Sequence, residues 1–145
     1  MRTPGCPLCD GAGGELVFQA ARFRVIRTEE GGFPAFYRLV WADHVAEFSD
    51  LSPADRRLCM DAVVLVEQCL RAHLQPAKVN LAALGNAVPH LHWHVVARFR
   101  WDSHFPAPVW GAAQREAPAS EMARIAALRA ALETDLALRL AALSA

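Results

Sequence analysis

Residues Pro89 to Val96 read PHLHWHVV, so three of the chain's six histidines stand at every second position with apolar residues between them. A period of two is the pattern of an extended strand, whose successive side chains point to opposite faces. The segment is expected to present His90, His92 and His94 on one face and to turn Leu91, Trp93 and Val95 toward a core. Two residues of strand rise by roughly 6.6 Å, so the three imidazoles cannot close on one small atom unaided. They are better placed to line a groove.

The flanking sequence supplies the rest of a sheet. Two short β-rich runs fall near Glu15–Gln19 and Phe23–Arg27, EEGGFP offers turn chemistry, and AFYRLVW reads as a third strand. A helix starts at Ser52 as N-cap, with Pro53 at its first position and Asp55 three residues on, and is expected to reach about His73. Its apolar stripe is Leu58, Ala62, Leu65, Val66, Cys69 and Leu70, and Pro76 marks its end. KVNLAAL reads as a fourth strand, GNAVP as a turn, HLHWHVVARF as the fifth strand, and RWDSHFPAPVWG as an aromatic, proline-rich loop. Beyond Pro118 the chain becomes rich in Ala and Leu. Ile125, Leu128, Leu132, Leu136, Leu140 and Leu143 recur at helical spacing. The expected assembly is an α+β domain with an antiparallel sheet of about five strands and two main helices. Residues 1–117 would carry the sheet and an N-terminal Cys-x-x-Cys knuckle. Residues 118–145 would add an amphipathic helix that closes the same core or serves a dimer.

A length of 145 residues is enough for one well-buried core. Fifteen basic residues balance fifteen acidic ones, which argues against non-specific binding to nucleic acid or to a membrane surface. It leaves open a small anionic substrate held by a few placed groups. The start, MRTPGCPLCD, has no apolar run after its arginine, and no segment approaches the apolar length of a membrane span. A cytoplasmic protein is expected, and there the four cysteines would not form disulfides.

Cys6 and Cys9 stand in CPLCDG, a knuckle-like turn. Alone, the pair is as well explained by redox chemistry or by accident as by metal. A structural zinc needs four nitrogen or sulfur ligands in a tetrahedron. Cys59 and Cys69 fall on the first long helix and read as small core residues, so the missing ligands would be histidines. His44, after the third strand, and His90, opening the fifth, are the two with reason to meet. A Cys6, Cys9, His44, His90 site would tie the N-terminus to the sheet. His73 lies near a helix C-terminus, where its charge is favourable, and reads as structural. His104 reads as a solvent-facing loop residue. His92 and His94 remain as a functional pair. A catalytic metal bound through them is a competing reading, but no third ligand or general base stands out.

The string HLHWHVV matches at all seven positions the motif His-φ-His-φ-His-φ-φ, with φ apolar, and on it the chain resembles the histidine triad (HIT) family. Supporting matches are Asn80 and the Gly85-Asn86 turn upstream of the triad, His44 after the third strand, and the order of the elements. The likeness covers roughly residues 6 to 112. GNAVPHLHWHVVAR followed by a loop with FPAPVWG is similar to a bacterial branch described as diadenosine tetraphosphate hydrolase-like. The resemblance implies hydrolysis or transfer at the α-phosphate of a nucleotide through a covalent nucleotidyl-histidine. His92 would be the nucleophile, and His94 would hydrogen-bond the phosphate or the bridging oxygen. Asn80, Gly85 and Asn86 would hold phosphate oxygens. It also implies a structural zinc on Cys6, Cys9, His44 and His90, no catalytic metal, and a homodimer, for which Trp101, Trp110 and the last helix are candidate contacts.

Three positions depart from the family pattern. Asn86 stands where a longer Gln is common, and Ala87 stands where a Ser or Thr hydroxyl is common. The ribose-binding acid has no clear equivalent, with Glu29 and Glu30 as candidates. The missing hydroxyl tilts the expectation toward a polyphosphate and away from a phosphoramidate. A binding or sensing module with little turnover, and a small zinc metalloenzyme, are the alternatives.

Overall fold

A computed structural model describes residues 1–145. Its centre is one antiparallel sheet with the strand order β1-β2-β3-β5-β4. The strands are β1 (Glu15–Gln19), β2 (Phe23–Glu30), β3 (Phe33–Trp41), β4 (Lys78–Ala82) and β5 (His92–Arg98). The helices are a single turn, α1 (Pro7–Asp10), and two long ones, α2 (Pro53–Leu74) and α3 (Ala119–Leu143), with a 3-10 turn at Phe48–Asp50. This is the expected α+β architecture.

Both long helices cover one face of the sheet. Tyr37, Leu39 and Trp41 of β3 and Val95 and Ala97 of β5 share a core with Ala62, Val66, Cys69 and Leu70 of α2 and with Ile125, Leu132, Leu136 and Leu140 of α3. β3 lies third of the five strands and is buried on both faces, which explains its almost unbroken apolar run. α2 begins as expected, with Ser52 Oγ accepting from the Asp55 N–H at 3.1 Å. It ends where Gln75 adopts a left-handed backbone (φ 50°) ahead of Pro76. α3 is also tied to the sheet by polar groups. Glu133 accepts from Arg27 Nε at 2.7 Å and from the Tyr37 hydroxyl at 3.0 Å. Burial, and then the Glu133 charge, push the Tyr37 pKa up and keep it a donor. Cys59 and Cys69 are core residues, and burial pushes the Cys59 thiol up to about 12. No helix is long and apolar enough to cross a membrane.

Several boundaries differ from expectation. The turn within EEGGFP shrinks to Gly31-Gly32, because β2 runs on to Glu30 through an irregularity after Thr28 and β3 starts at Phe33. Gly32 has φ 81°, and a Cβ there would sit 2.0 Å from Ser103 Oγ, so only glycine lets the hairpin pack on the loop after β5. β4 stops at Ala82, two residues before the expected end. β5 begins at His92, so His90 is outside the strand. The reason is local hydrogen bonding. The His90 N–H goes to Val88 O and the Leu91 N–H to Val45 O, which leaves the Leu91 carbonyl, accepting from the Trp41 N–H at 3.1 Å, as the link to β3. Trp101 is not free surface, because it stacks on Phe99 with ring centroids 4.7 Å apart at the core margin. Trp110 is exposed.

Candidate functional site

The sheet face away from the long helices carries the remaining chemistry. Alternation and register place Val40 opposite His92, Arg38 opposite His94, and Phe36 and Asn80 on either side of Val96. The expected strand face therefore holds for His92 and His94. Each imidazole is half-buried, and their ring centroids are 4.9 Å apart at 78°.

Their hydrogen bonds give the two rings different roles. His92 Nδ1 lies 2.6 Å from His90 O. A carbonyl only accepts, so Nδ1 carries the proton and Nε2 keeps its lone pair. His94 Nδ1 accepts from Arg38 Nε at 3.2 Å, so its proton is on Nε2. Burial, then the charges of Arg38 and His92, push the His94 pKa down to about 4. In the neutral tautomers that these bonds select, a bare imidazole nitrogen stands beside an imidazole N–H donor.

The His94 shift has a consequence for stability. The unfolded imidazole takes a proton near its ordinary 6.5, whereas the folded one resists until about 4. In that window the unfolded chain binds more protons, so stability is full above 6.5 and falls as pH drops toward 4. The urea midpoint should fall more steeply between neutral and mildly acidic pH in the wild type than in His94→Asn. Parallel slopes would contradict the neutral His94.

His90 has a separate task. Its Nε2–H donates to Trp41 O at 2.7 Å, which leaves Nδ1 bare and 3.5 Å from both Cys6 Sγ and Cys9 Sγ. His44 Nδ1 lies 3.5 Å from Cys9 Sγ. The four ligand atoms all fall within 4.8 Å of one another, and Cys6, Cys9 and His90 are buried. Zinc bonds of about 2.3 Å to sulfur and 2.0–2.1 Å to nitrogen, at a tetrahedral angle, put S and N about 3.5 Å apart. The donor set and spacing fit such an ion, and the Trp41 carbonyl supplies the outer hydrogen bond that orients a histidine ligand. α1 is fastened to β2 by Arg24, whose guanidinium donates to the carbonyls of Leu8, Gly11 and Ala12.

The other expected residues fall around this centre. Asn80 Oδ1 accepts from Arg98 at 2.8 Å, which orients the amide. Arg98 is itself paired with Asp102 at 2.8 and 3.1 Å, and both side chains are buried. Burial alone would raise the Asp102 carboxyl, but Arg98 and the backbone N–H groups of Phe99 and His104 hold it below its usual range. Arg98→Met should therefore cost about 3 kcal/mol of unfolding free energy, because it strands a buried carboxylate. An unchanged urea midpoint would refute that pairing. Gly85 (φ 71°) shapes the turn before the triad, and Asn86 is exposed on it. A cleft of about 180 Å³ opens beside His92, between Gly85 and Leu84 on one side and Glu47 and Phe48 on the other. A larger hollow of about 440 Å³ lies by α1, but its one half-buried cation, Arg24, is already committed to carbonyls.

Of the two candidate acids, Glu29 contacts Arg27 and Arg129, whereas Glu30 contacts Arg38 at 3.5 Å and so lies nearer His94. His73 pairs with Asp135 of α3 at 2.8 Å and is structural. His104 does not face solvent freely. It is half-buried, lies 4.7 Å from the Phe33 ring and bonds Ser103 Oγ at 2.7 Å, because the loop after β5 folds back onto the β2–β3 hairpin. Sequence reasoning overlooked Arg38 and the Arg98–Asp102 pair. A lone charge inside the apolar run of β3 and an i, i+4 Arg–Asp pair were the available signals.

The sequence matches the HIT domain family over residues 12–101. A histidine triad protein from Bradyrhizobium japonicum is 30% identical, with 80% of this chain and 90% of that one covered and a TM-score of 0.65. A histidine triad (HIT) protein from Sinorhizobium meliloti is 28% identical, with 84% and 88% covered and a TM-score of 0.68. A zinc-bound histidine triad family protein from Mycobacterium smegmatis shares the fold at 18% identity, with 90% and 94% covered and a TM-score of 0.60. No curated protein matches the chain.

Proposed function

The chain belongs to the HIT domain family, and on that premise we propose that it cleaves a nucleotide at the α-phosphate through a covalent intermediate on His92. The observation that carries this reading is the 2.6 Å bond from His92 Nδ1 to the His90 carbonyl. It commits the ring proton to the backbone and leaves Nε2 as a neutral nucleophile. His94 Nε2–H then donates to a phosphate or bridging oxygen as charge builds there. Asn80, held by Arg98, and the backbone at Gly85 and Asn86 take up further phosphate oxygens. The cleft beside His92 is smaller than the 300 Å³ or so typical of a whole-ligand site. It suits a phosphate-sized group, with the nucleoside lying over the open sheet face.

Cys6, Cys9, His44 and His90 would hold a zinc ion, which supplies cross-linking of the N-terminus to the sheet and no chemistry at the nucleotide. By fixing His90, that site also fixes the carbonyl that orients His92. The family resemblance further suggests a homodimer. Exposed Leu81 and Leu84 at the sheet edge and Val64 on α2 are apolar surface for such a contact.

The test is turnover of diadenosine tetraphosphate, ADP and adenosine phosphoramidate by the purified protein. Release of AMP is the expected result. Tight nucleotide binding without AMP release would refute the hydrolase reading and leave a binding module.

A further inference from the structure

His94 has a cation behind it. Arg38, its register partner in β3, donates Nε–H to Nδ1 at 3.2 Å. Arg38 is in turn held at 3.5 Å by Glu30 and lies 5.4 Å over the Phe36 ring, which also meets His94 edge-on at 5.6 Å. A guanidinium has donors only, so His94 Nδ1 must present a lone pair to it, and the single ring proton sits on Nε2.

This arrangement limits what His94 can do. An imidazole with one N–H donates a hydrogen bond readily. Giving that proton away would leave an imidazolate, which is far too basic to form at neutral pH. General acid work needs the imidazolium, and its second proton would have to occupy Nδ1, where Arg38 already donates. The other titratable groups facing the pair are His92 from β5 and Glu30 from β2. β4 offers only Ala82, opposite His94, and the neutral Asn80. Glu30 engages the far side of Arg38 and is half-exposed, so it leaves the guanidinium field at His94 largely intact. Ala87, in the loop before the triad, has no hydroxyl to serve instead.

We propose that Arg38 is a positioning residue that locks His94 as a hydrogen-bond donor and bars it from general acid work, so the site takes nucleotides whose leaving group departs as an anion. The inference rests on the nucleotidyl-transfer reading above and narrows its substrates to phosphoanhydrides. The His92 Nε2–P bond forms as the bond from the α-phosphorus to the bridging oxygen breaks, and that oxygen keeps the electron pair as a phosphate. The Nδ1 proton stays on the His92 ring, hydrogen-bonded to the His90 carbonyl, and the Nε2 proton stays on His94. Water then attacks phosphorus, the N–P electron pair returns to Nε2, and the water proton passes to solvent. An amine leaving group would need a proton that no group in this site is set to give.

The experiment compares wild type with Arg38→Met and Arg38→Lys, using NMR of the histidine ring nitrogens together with kcat/KM against pH for ADP and adenosine phosphoramidate. Wild-type His94 should stay a single Nε2–H tautomer from about pH 6 to 8. In Arg38→Met the tautomers should mix and the imidazolium should appear at higher pH. Turnover of ADP should fall roughly 100-fold, the scale of losing one preset donor. The phosphoramidate should lose less, and its rate should rise toward acid. Arg38→Lys keeps the charge without the Nε–H and should lie between. An unchanged His94 tautomer and titration in Arg38→Met would overturn the role of Arg38. Faster wild-type cleavage of the phosphoramidate than of ADP would overturn the leaving-group claim. Absence of turnover on either nucleotide would defeat the parent reading and that claim together, while the spectra would still decide what Arg38 does.

Discussion

Replacing His92 by alanine should lower AMP release at least about 1,000-fold while leaving nucleotide affinity within a few fold, because the nucleophile itself is lost. The physical basis is specific to this ring. Its Nδ1 proton is bound by the His90 carbonyl, so no neighbouring nitrogen shares its orientation. His94 cannot take its place, since Arg38 occupies that ring's only bare nitrogen. His92→Gly should behave like His92→Ala but recover part of its rate when free imidazole is added, which would exclude misfolding as the cause. A His92→Ala enzyme that still releases AMP at the wild-type rate would remove the covalent mechanism.

Loss of a cysteine ligand should be the largest stability effect. Cys6→Ser or Cys9→Ser should abolish binding of one zinc per chain. Either should also lower unfolding free energy by about 5 kcal/mol, roughly 15 °C in Tm, since structural zinc sites contribute folding energy directly. The ligands come from α1 and its N-cap, the segment after β3 and the turn before β5, so the ion would join three segments of the chain at once. Thr3 N–H already points at Cys9 Sγ at 3.3 Å, as it would toward a thiolate. His92→Ala and His94→Ala should keep the zinc. Metal lost from those variants instead would mean that the triad histidines are ligands, and the nucleophile reading would fall. A Cys6→Ser protein with unchanged metal content would show that the ion, if present, is held elsewhere.

The two effects should also be coupled. His90 gives its ring to the cysteine cluster and its carbonyl to His92. Chelation is therefore expected to reduce turnover through poor orientation of His92, in addition to any loss of folded protein.

Much of this site could be read along the chain because its signals are local. Alternation in PHLHWHVV places His92 and His94 on one face, since neighbouring side chains of a strand must point opposite ways. Ser52 and Pro53 mark a helix start because capping involves only the next few backbone N–H groups. The Cys6 and Cys9 pair, with two residues between them, marks a candidate ligand pair by its spacing, and it becomes a four-donor set only where the fold brings His44 and His90 to it. The tertiary structure decided the rest. It took His90 out of the strand, because the His90 N–H bonds Val88 O and the Leu91 N–H bonds Val45 O. It set Arg38 against His94 and Glu30 against Arg38, and it folded His104 onto Phe33. Apart from His90 with Val88, which is local, and Glu30 with Arg38, which spans one hairpin, these contacts join residues remote in the chain, and they depend on strand register or loop return. A one-residue slip in register would exchange every facing partner while leaving the local patterns intact, which is why the pattern of a single strand reveals a face but not what stands across from it.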